Sequence, residues 1–566
     1  MAKGKGASNK LPKKEVRRIE EINRQTDHRV PLPGIETGFD EYGVDVSDKT
    51  HAELSQFKPY AASLSTKEKY RYHRDTGQMR SFFGDVRFGY RSTIMDDLVN
   101  ASLTESSFKG SGWGKIKTQS QEKDGSGSEG NEKAASVVFF NFSGFYVLFW
   151  MIVAFIVLRV GVDYYFSHDG DLSQSEILKF MTTDLLSVAL IDLAMYLCTF
   201  FVLFVHLAVK RGWIAWKRTG RYLTYAYEIG FLWTFLYVAE TVMQFHWLSK
   251  IFIFLHSLVL LMKMHSFASY NGYLWGILEE LKFSKSTLAK AKDINIDDDI
   301  RIVLEKSCEF CQFELDLQSI SVKFPANINF KNFFEYSMFP TLVYQVEYPR
   351  TEKIRWSYVF EKLCAIFGVI LVMMIIAQFF MHPIAMRAMA VRDVGMPIFW
   401  DRIFEWLYLF LKLVPSFIMM YLMVWYLIWD AILNCIAELT RFGDRYFYGD
   451  WWNCVSWDEF SRQWNVPVHK FLLRHVYHSS ISFLHLNKMQ ATLMTFVLSS
   501  VVHELAMYVL FGKLRLYLFS LQMAQIPLVQ LGNSRFLKSK KILGNAIFWL
   551  GICTGPSMMC TLYLTF

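Results

Sequence analysis

A histidine in the middle of a long apolar run is the residue best placed to do chemistry. His503 lies in ATLMTFVLSSVVHELAMYVLFG, residues 491–512, and is followed by Glu504. Polar groups at membrane depth are costly, so a functional role is the first hypothesis for them. Ser499, one turn earlier, shares a helix face with His503, and its hydroxyl is expected to orient the imidazole. Because imidazole titrates near neutrality, His503 is suited to accept a proton from an alcohol.

Two other roles for His503 stay open at this point. The imidazole could be a structural group that is satisfied by a neighbouring helix, or it could carry protons along a transport path. No internal repeat is evident in the chain. Secondary transporters often show paired, interrupted spans in two halves of the sequence. The pattern therefore favours chemistry over transport.

A second concentration of reactive side chains lies in residues 441–478, RFGDRYFYGDWWNCVSWDEFSRQWNVPVHKFLLRHVYH. Its tryptophans favour a membrane interface, and its last part places basic side chains beside apolar ones, as a helix on lipid headgroups does. An interfacial anchor does not need Asn453 directly after two tryptophans. Cys454 is a conceivable nucleophile, but nothing in the sequence activates its thiol.

Nine apolar runs would position these residues. They lie at about 137–158, 185–209, 222–245, 251–270, 358–381, 403–436, 491–512, 514–532 and 542–565. A helix of about 20 apolar residues crosses a hydrocarbon core of about 30 Å, and lipid forces such runs to be helical. Pro415 inside the sixth run predicts a kink or a break. The sequence therefore predicts an all-α polytopic membrane protein.

The charges between the runs predict how the chain is oriented. Lys and Arg concentrate in residues 210–221 and 533–541, whereas the loop after the first run is acidic. The positive-inside rule then puts the N-terminus in the cytosol and the C-terminus in the lumen. The net charge of +8 lies mainly in such loops, which indicates topology and headgroup attraction rather than nucleic-acid binding. Residues 1–135 are polar and charged, and we expect a largely disordered cytosolic region there.

The cysteines do not indicate a metal site. Eight are spread over 566 residues without the spacing of a disulfide framework. Cys308 and Cys311 form a lone C-x-x-C with no matching second pair, so ordinary reduced thiols are the better interpretation.

The motif FYGDWWN, residues 447–453, resembles the FYxDWWN motif of the membrane-bound O-acyltransferase superfamily, in the branch that holds sterol and diacylglycerol acyltransferases. The continuation WNVPVHKF and the VVHE context of His503 are similar as well, and a buried histidine follows the motif at the family's usual distance. The resemblance covers residues 136–566. It implies the fold of that superfamily for this transmembrane catalytic domain.

A second stretch concerns the acyl acceptor. FPTLVYQVEYPRTEKIRWSYV, residues 339–359, resembles a segment of sterol O-acyltransferases, and LMKMHSFASYNG, residues 261–272, is similar to fungal members of that branch. Diacylglycerol acyltransferases usually have Phe-Pro-Arg-Ser and no Arg-Trp pair in the related segment. The resemblance implies a sterol acceptor. The alternatives are diacylglycerol within the enzyme class and a proton-coupled lipid transporter outside it.

The resemblance also implies a mechanism. His503 acts as general base on the sterol 3β-hydroxyl, whose oxygen attacks the thioester of acyl-coenzyme A. The Asn453 amide donates to the thioester carbonyl or the oxyanion, a contribution worth about 3 kcal/mol in other acyl-transfer sites. The other positions assigned to the substrate site are Phe447, Tyr448, Asp450, Trp451, Trp452, Ser499 and Glu504.

Acyl-coenzyme A is expected as a co-substrate from the cytosol, with sterol arriving through the bilayer and no cofactor or metal. Five basic residues could meet its phosphates, namely Arg462, His469, Lys470, Arg474 and His475. These substrates fit an enzyme of the endoplasmic reticulum membrane. Family members are typically homodimers or homotetramers, so we expect one of these states here.

Overall fold

The computed structural model describes most of residues 151–167, residue 179, and residues 182–566 with five gaps. The gaps are 291–297, 320, 395–398, 485 and 533–539. Within these described residues all regular secondary structure is helical, and one isolated antiparallel bridge joins Arg350 to Phe442. The region predicted to be disordered, 1–135, lies outside the described residues.

The chain divides into two compact units, one of residues 97–174 and one of residues 1–96 with 175–566. In the smaller unit, the described residues within 151–167 are helical. The first predicted span, 137–158, is described only in part from Met151 onward, so it stays a prediction.

Eight helices come first among the described residues of the larger unit. They are α1 (Leu185–Cys198), α2 (Phe200–Lys210), α3 (Arg221–Tyr237), α4 (Trp247–Lys290), α5 (Asp298–Leu317), α6 (Phe330–Met338), α7 (Trp356–Ile376) and α8 (His382–Val394). Three π-helical stretches accompany them: Trp216–Gly220 before α3, Val238–Val242 after it, and Ala377–Met381 between α7 and α8.

Nine further helices follow. They are α9 (Phe399–Trp425), α10 (Leu433–Leu439), α11 (Trp457–Gln463), α12 (Val466–Phe471), α13 (His478–Leu484), α14 (Lys488–Phe511), α15 (Tyr517–Met523), α16 (Gln525–Gly532) and α17 (Lys541–Thr565). The π-helical stretches Tyr426–Ile432 and Leu472–Tyr477 connect α9 to α10 and α12 to α13, and a 3₁₀ turn covers Trp451–Asn453.

Six helical stretches in the described part of the chain are long and apolar enough to cross a membrane. They are Leu185–Lys210, Trp247–Ser286, Trp356–Val394, Trp400–Leu439, Lys488–Phe511 and Ile542–Thr565. Six of the nine predicted spans coincide with them and are confirmed as helices of spanning length. With 44 residues, α4 is about 66 Å long, so it extends well beyond a hydrocarbon core of about 30 Å.

Two predicted spans differ in the structure. The run 222–245 is helical up to Val242, but its tyrosines, threonines and glutamates leave it outside the six apolar stretches. The run 514–532 is wrong as a single span, because it forms α15 and α16, of only seven and eight residues. Left-handed backbone at Gly512 and Leu516 ends α14 and redirects the chain before α15 begins.

Pro415 does not break the sixth span. The α-helix α9 continues from Phe399 through Pro415 to Trp425, and α17 likewise contains Pro556. A proline inside a helix removes one backbone hydrogen bond, and membrane helices tolerate this loss where neighbouring groups satisfy the freed carbonyl. The long predicted run instead changes to a π-helical stretch after Trp425.

The helix α4 is the centre of the core. It packs against α1, α2, α3, α5 and α14. Half of its most apolar 18-residue stretch is buried inside the protein. Aromatic residues fill the space around it: the Phe267 ring makes edge-to-face contacts with Phe333 and Tyr344, at centroid distances of 4.9 and 4.8 Å. A second group, in which α17 packs against α8 and α9, supports the segment that follows α10.

Candidate active site

The motif segment 447–453 is held by backbone pairing with α11 and α12. The amide of Gly449 donates to the Gln463 carbonyl at 2.8 Å, and the amide of Val466 donates to the Phe447 carbonyl at 3.1 Å. The Phe447 ring is buried against the end of the α9–α10 helix. These contacts fix an extended segment that ends in the 3₁₀ turn of Trp451–Asn453.

The end of the motif is fastened to α17. The carbonyl of Trp452 accepts hydrogen bonds from the Asn545 amide and the Trp549 indole, both at 3.1 Å. Asn545 also donates to the Cys454 carbonyl at 2.9 Å, and the Trp451 ring is buried among other aromatic residues. Both tryptophans of the motif therefore shape the protein around the turn.

The side chain of Asn453 is exposed at the end of this rigid turn. Its backbone amide donates to the Asp450 carbonyl at 2.9 Å, but its side-chain amide has no partner among the described residues. Asp450 is exposed as well. An amide with two unused N–H donors on a fixed turn can hydrogen-bond a carbonyl oxygen or an oxyanion.

Cys454, next to Asn453, is not set up as a nucleophile. Its thiol is fully buried and contacts the Gln463 side-chain oxygen at 3.7 Å. Burial raises the pKa of the Cys454 thiol, and the nearby Glu459 carboxylate adds to the increase. A reactive cysteine needs a lowered thiol pKa and access to solvent, so Cys454 has neither property.

The imidazole of His503 lies at the middle of α14 and is exposed, not buried as the sequence suggested. Its Nδ1 lies 2.8 Å from the backbone carbonyl oxygen of Ser499, so the carbonyl and not the predicted hydroxyl orients the ring. A carbonyl oxygen only accepts hydrogen bonds, so Nδ1 carries the proton of the neutral ring. This tautomer leaves the Nε2 lone pair, which has no partner among the described residues, to accept a proton.

The Glu504 side chain points into the protein, where both of its carboxylate oxygens accept hydrogen bonds. Its carboxylate accepts hydrogen bonds from the backbone amides of Leu516 at 2.6 Å and Phe519 at 3.1 Å, at the start of α15. The Tyr563 hydroxyl of α17 donates to it as well, at 2.9 Å. Glu504 therefore joins α14, α15 and α17, and its contacts are with the protein itself.

The two stretches that resemble sterol O-acyltransferases lie against each other. Lys263 Nζ donates to the carbonyls of Ser337 and Phe339, at 3.0 and 2.6 Å. The Tyr344 amide donates to the Ser266 hydroxyl at 2.8 Å. Residues 261–272 of α4 thus fix the conformation of the loop that begins at Phe339.

That loop is also joined to the chain that enters the FYGDWWN motif. The amide of Thr351 donates to the Arg441 carbonyl at 3.0 Å, and the amide of Gly443 donates to the Pro349 carbonyl at 2.9 Å. A Cβ at Gly443 would lie 2.9 Å from the Pro349 oxygen, so only glycine allows this approach. The structure therefore brings together residues 261–272, residues 339–359 and the chain that enters the FYGDWWN motif.

Three of the five predicted phosphate-binding residues are buried inside the protein, and two of these, Arg474 and His475, contact α4. Arg474 is fully buried, donates to the Tyr344 carbonyl at 2.9 Å and lies over the Tyr270 ring. The His475 imidazole is nearly buried, 2.9 Å from the Ser266 hydroxyl. Both side chains hold the π-helical stretch 472–477 against α4.

The other three basic residues lie outside the spanning helices. Arg462 pairs with Asp458 at 3.1 Å, and Lys470 pairs with Asp444 at 3.6 Å, both partly accessible. His469 is nearly buried. Burial first, and then the charges of Arg462 and Lys470, lower the pKa of its imidazole to about 3, so His469 is neutral at physiological pH.

Sequence reasoning missed two carboxylates, Asp430 and Glu438, at the end of the spanning stretch Trp400–Leu439. Asp430 accepts from the Tyr448 hydroxyl at 3.0 Å and pairs with Lys362 at 2.6 Å. Glu438 is buried and pairs with Arg355 and Arg445. Their position inside or beside an apolar run is a signal that could have found them. In the described part of the chain, no group of three or more His, Cys, Asp or Glu residues could hold a metal ion.

Comparison with known proteins agrees with this arrangement. The family model of MBOAT, the membrane-bound O-acyltransferase family, matches residues 142–565. Sterol O-acyltransferase 2 of Saccharomyces cerevisiae is 54% identical over 549 residues, which are 90% of this chain and 85% of that protein. Sterol O-acyltransferase 2 of Candida albicans is 46% identical over 462 residues, 75% of each chain.

A relative with a different acceptor in its name is also similar, over a shorter region. Diacylglycerol O-acyltransferase 1C of Glycine max is 34% identical over 249 residues, 43% of this chain and 46% of that protein. The family match spans all six apolar helical stretches, the FYGDWWN segment and His503. This protein belongs to the membrane-bound O-acyltransferase family.

Proposed function

We propose that this protein is a sterol O-acyltransferase, which forms steryl esters from acyl-coenzyme A and a membrane sterol. The observation that carries the proposal is the 54% identity with a yeast sterol O-acyltransferase over 90% of the chain. The packing of residues 261–272 against the loop from Phe339 supports it, because both stretches resemble sterol-specific segments. Diacylglycerol is the second acceptor to consider, because a diacylglycerol O-acyltransferase is similar over 43% of the chain.

In the proposed mechanism, Nε2 of His503 accepts the proton of the sterol 3β-hydroxyl as its oxygen attacks the thioester carbonyl carbon. A C–O bond forms, the C–S bond breaks, and the coenzyme A thiolate takes the proton back from His503. We propose that the side-chain amide of Asn453 donates to the carbonyl oxygen as its negative charge develops. This step requires the motif turn to approach His503, because Asn545 at the start of α17 holds the turn, whereas Tyr563 near the end of α17 binds Glu504. No covalent enzyme intermediate is needed, which fits the buried Cys454 thiol.

For acyl-coenzyme A, we propose that only Arg462 and Lys470 of the five basic candidates meet its phosphates. Both side chains are partly accessible, and a phosphate can compete with their aspartate partners. We further propose that the enzyme is a homodimer or homotetramer of the endoplasmic reticulum membrane. The basic loops would face the cytosol, with the N-terminus, and the C-terminus would lie in the lumen.

The test is a competition between acceptors. Purified protein in lipid nanodiscs receives radiolabelled oleoyl-coenzyme A with equal amounts of sterol and diacylglycerol, and the products are separated. We expect labelled steryl ester as the main product. Label that appears mainly in triacylglycerol would replace the acceptor by diacylglycerol. If folded protein forms neither ester, the proposed function is wrong and a transport function becomes the better hypothesis.

A further inference from the structure

Two membrane helices are joined by two ion pairs at one end. Asp430, in the π-helical stretch after α9, pairs with Lys362 of α7 at 2.6 Å. Glu438 of α10 pairs with Arg355, the residue before α7, at 2.9 Å, and also accepts from the Arg355 backbone amide at 2.7 Å. Lys362 and Arg355 are two helical turns apart and so share one face of α7. Lys362, Asp430 and Glu438 are largely buried, and a buried charge is costly unless it is paired, so breaking either contact would leave a buried charge without its partner.

Each of the two carboxylates also binds a side chain of the loop that leads into the FYGDWWN motif. The Tyr448 hydroxyl donates to the second oxygen of Asp430 at 3.0 Å. The Arg445 guanidinium donates to Glu438 at 2.5 Å. The loop is therefore attached at two points, three residues apart, to a pair of helices that the same carboxylates hold together.

We infer that Asp430 and Glu438 form a carboxylate clamp that positions the FYGDWWN turn, and with it the Asn453 amide, for acyl transfer. The inference rests on the proposed function, because it assigns a role within that reaction. Only four residues lie between Tyr448 and Asn453, and the 3₁₀ turn Trp451–Asn453 ends this segment. A shift at the clamp is thus transmitted to Asn453, and displacements of about 1 Å in an active site can cost about 100-fold in rate.

The clamp also connects the motif to the segment that resembles sterol-specific sequences. Arg355 belongs to the Arg-Trp pair at the end of residues 339–359 and shares Glu438 with Arg445. Arg350 of the same segment donates to the Thr440 carbonyl at 3.1 Å, two residues beyond Glu438. Glu438 therefore contacts both segments.

The test removes one hydroxyl and leaves both ion pairs in place. In Tyr448→Phe, we expect kcat for steryl ester formation to fall about tenfold, with little change in the KM for acyl-coenzyme A. Tyr408→Phe is the matched control, because Tyr408 lies on the exposed face of α9 and does not contact the loop. Its activity should equal that of the wild type, and all variants are compared at equal amounts of monodisperse protein.

A double-mutant cycle separates positioning from general damage. If Tyr448 acts through Asp430, the variant Tyr448→Phe/Asp430→Asn has the same kcat as Asp430→Asn alone. If the two substitutions lower kcat by factors that multiply in the double variant, the clamp is overturned. A Tyr448→Phe enzyme as active as the control would overturn it as well. These outcomes are read against an active wild type. A wild type without esterification activity would instead overturn the proposed function.

Discussion

At the scale of single residues, the proposed chemistry depends on two polar groups, on His503 and Asn453, that make no hydrogen bond within the described part of the protein. Nε2 of His503 and the side-chain amide of Asn453 have no partner among the described residues, although most polar side chains around them do. The neighbours of these two residues, Glu504 and Cys454, are bound inside the protein. In each pair of adjacent positions, therefore, one side chain is available for the proposed reaction and the other supports the fold.

The first prediction concerns Asn453. Replacing it by Ala removes the proposed donor to the developing oxyanion, so kcat should fall about 100- to 1,000-fold, with the KM for acyl-coenzyme A little changed. Steady-state rates at saturating sterol measure this effect. A rise in KM without a fall in kcat would mean that Asn453 binds substrate equally in the ground state and has no special role in the transition state.

Which of the site residues could be predicted from the sequence depends on how local their interactions are. His503 and the motif were visible because a polar group in an apolar run and a seven-residue pattern are local features. The prediction that Arg474 meets phosphate rests on its basic side chain alone, because its partner in the structure, the Tyr344 carbonyl, is 130 residues away in the chain. No local pattern reveals such a partner.

At the scale of elements, the hydrogen bonds of Glu504 fix the rotation of α14 about its own axis. Its carboxylate accepts from two backbone amides at the start of α15 and from the Tyr563 hydroxyl. In Glu504→Gln, an NH₂ group replaces one carboxylate oxygen. It faces hydrogen-bond donors and cannot accept from them. We expect a loss of roughly 2–4 kcal/mol in the free energy of unfolding and a lower melting midpoint in detergent.

The control for this variant is Glu279→Gln. Glu279 is partly exposed and makes only a 4.0 Å contact with Lys217, so its substitution should leave the melting midpoint unchanged. A Glu504→Gln protein that melts together with the control would show that the carboxylate does not hold α14, α15 and α17 together.

Two buried histidines outside the spanning helices should make the free energy of unfolding depend on pH. Burial lowers the pKa of both His469 and His478 to about 3, with Arg462 and Arg474 as the first charges that add to the effect. Between pH 3 and 6.5 the unfolded chain binds more protons than the folded one, so stability falls as pH drops below about 6.5. Each histidine contributes a loss of up to about 1.4 kcal/mol per pH unit.

Melting curves from pH 7.5 to 5.0 measure this loss, and His478→Phe should make the decrease shallower. A variant with the same pH dependence as the wild type would contradict the role of His478.

At this scale the sequence predicted helices well where apolar runs are uninterrupted. It failed at 514–532, because the left-handed residues at Gly512 and Leu516 and the capping by Glu504 depend on tertiary contacts.

At the scale of the whole molecule, the basic loops predict that the N-terminus is cytosolic, and an odd number of membrane crossings would put the C-terminus in the lumen. An N-glycosylation site on a short C-terminal extension should be modified in microsomes, whereas the same site on the N-terminus should not. Glycosylation only at the N-terminus would invert the topology and place the basic loops in the lumen.

The arrangement of the whole molecule relates to the two phases, water and membrane, from which the substrates come. A soluble anionic substrate and a membrane-dissolved alcohol can meet only where the protein connects the two phases. His503 lies in the middle of the spanning helix α14, whereas Asn453 lies on a turn outside the spanning helices.

The most direct test of the account is the role of His503 as general base. His503→Ala and the wild type are compared for steryl ester formation, and for binding of radiolabelled oleoyl-coenzyme A to the same nanodisc samples. The account predicts that the variant binds acyl-coenzyme A like the wild type but loses activity by at least about 100-fold, as loss of a positioned base requires. A variant that binds and still esterifies sterol at a rate close to that of the wild type would contradict it.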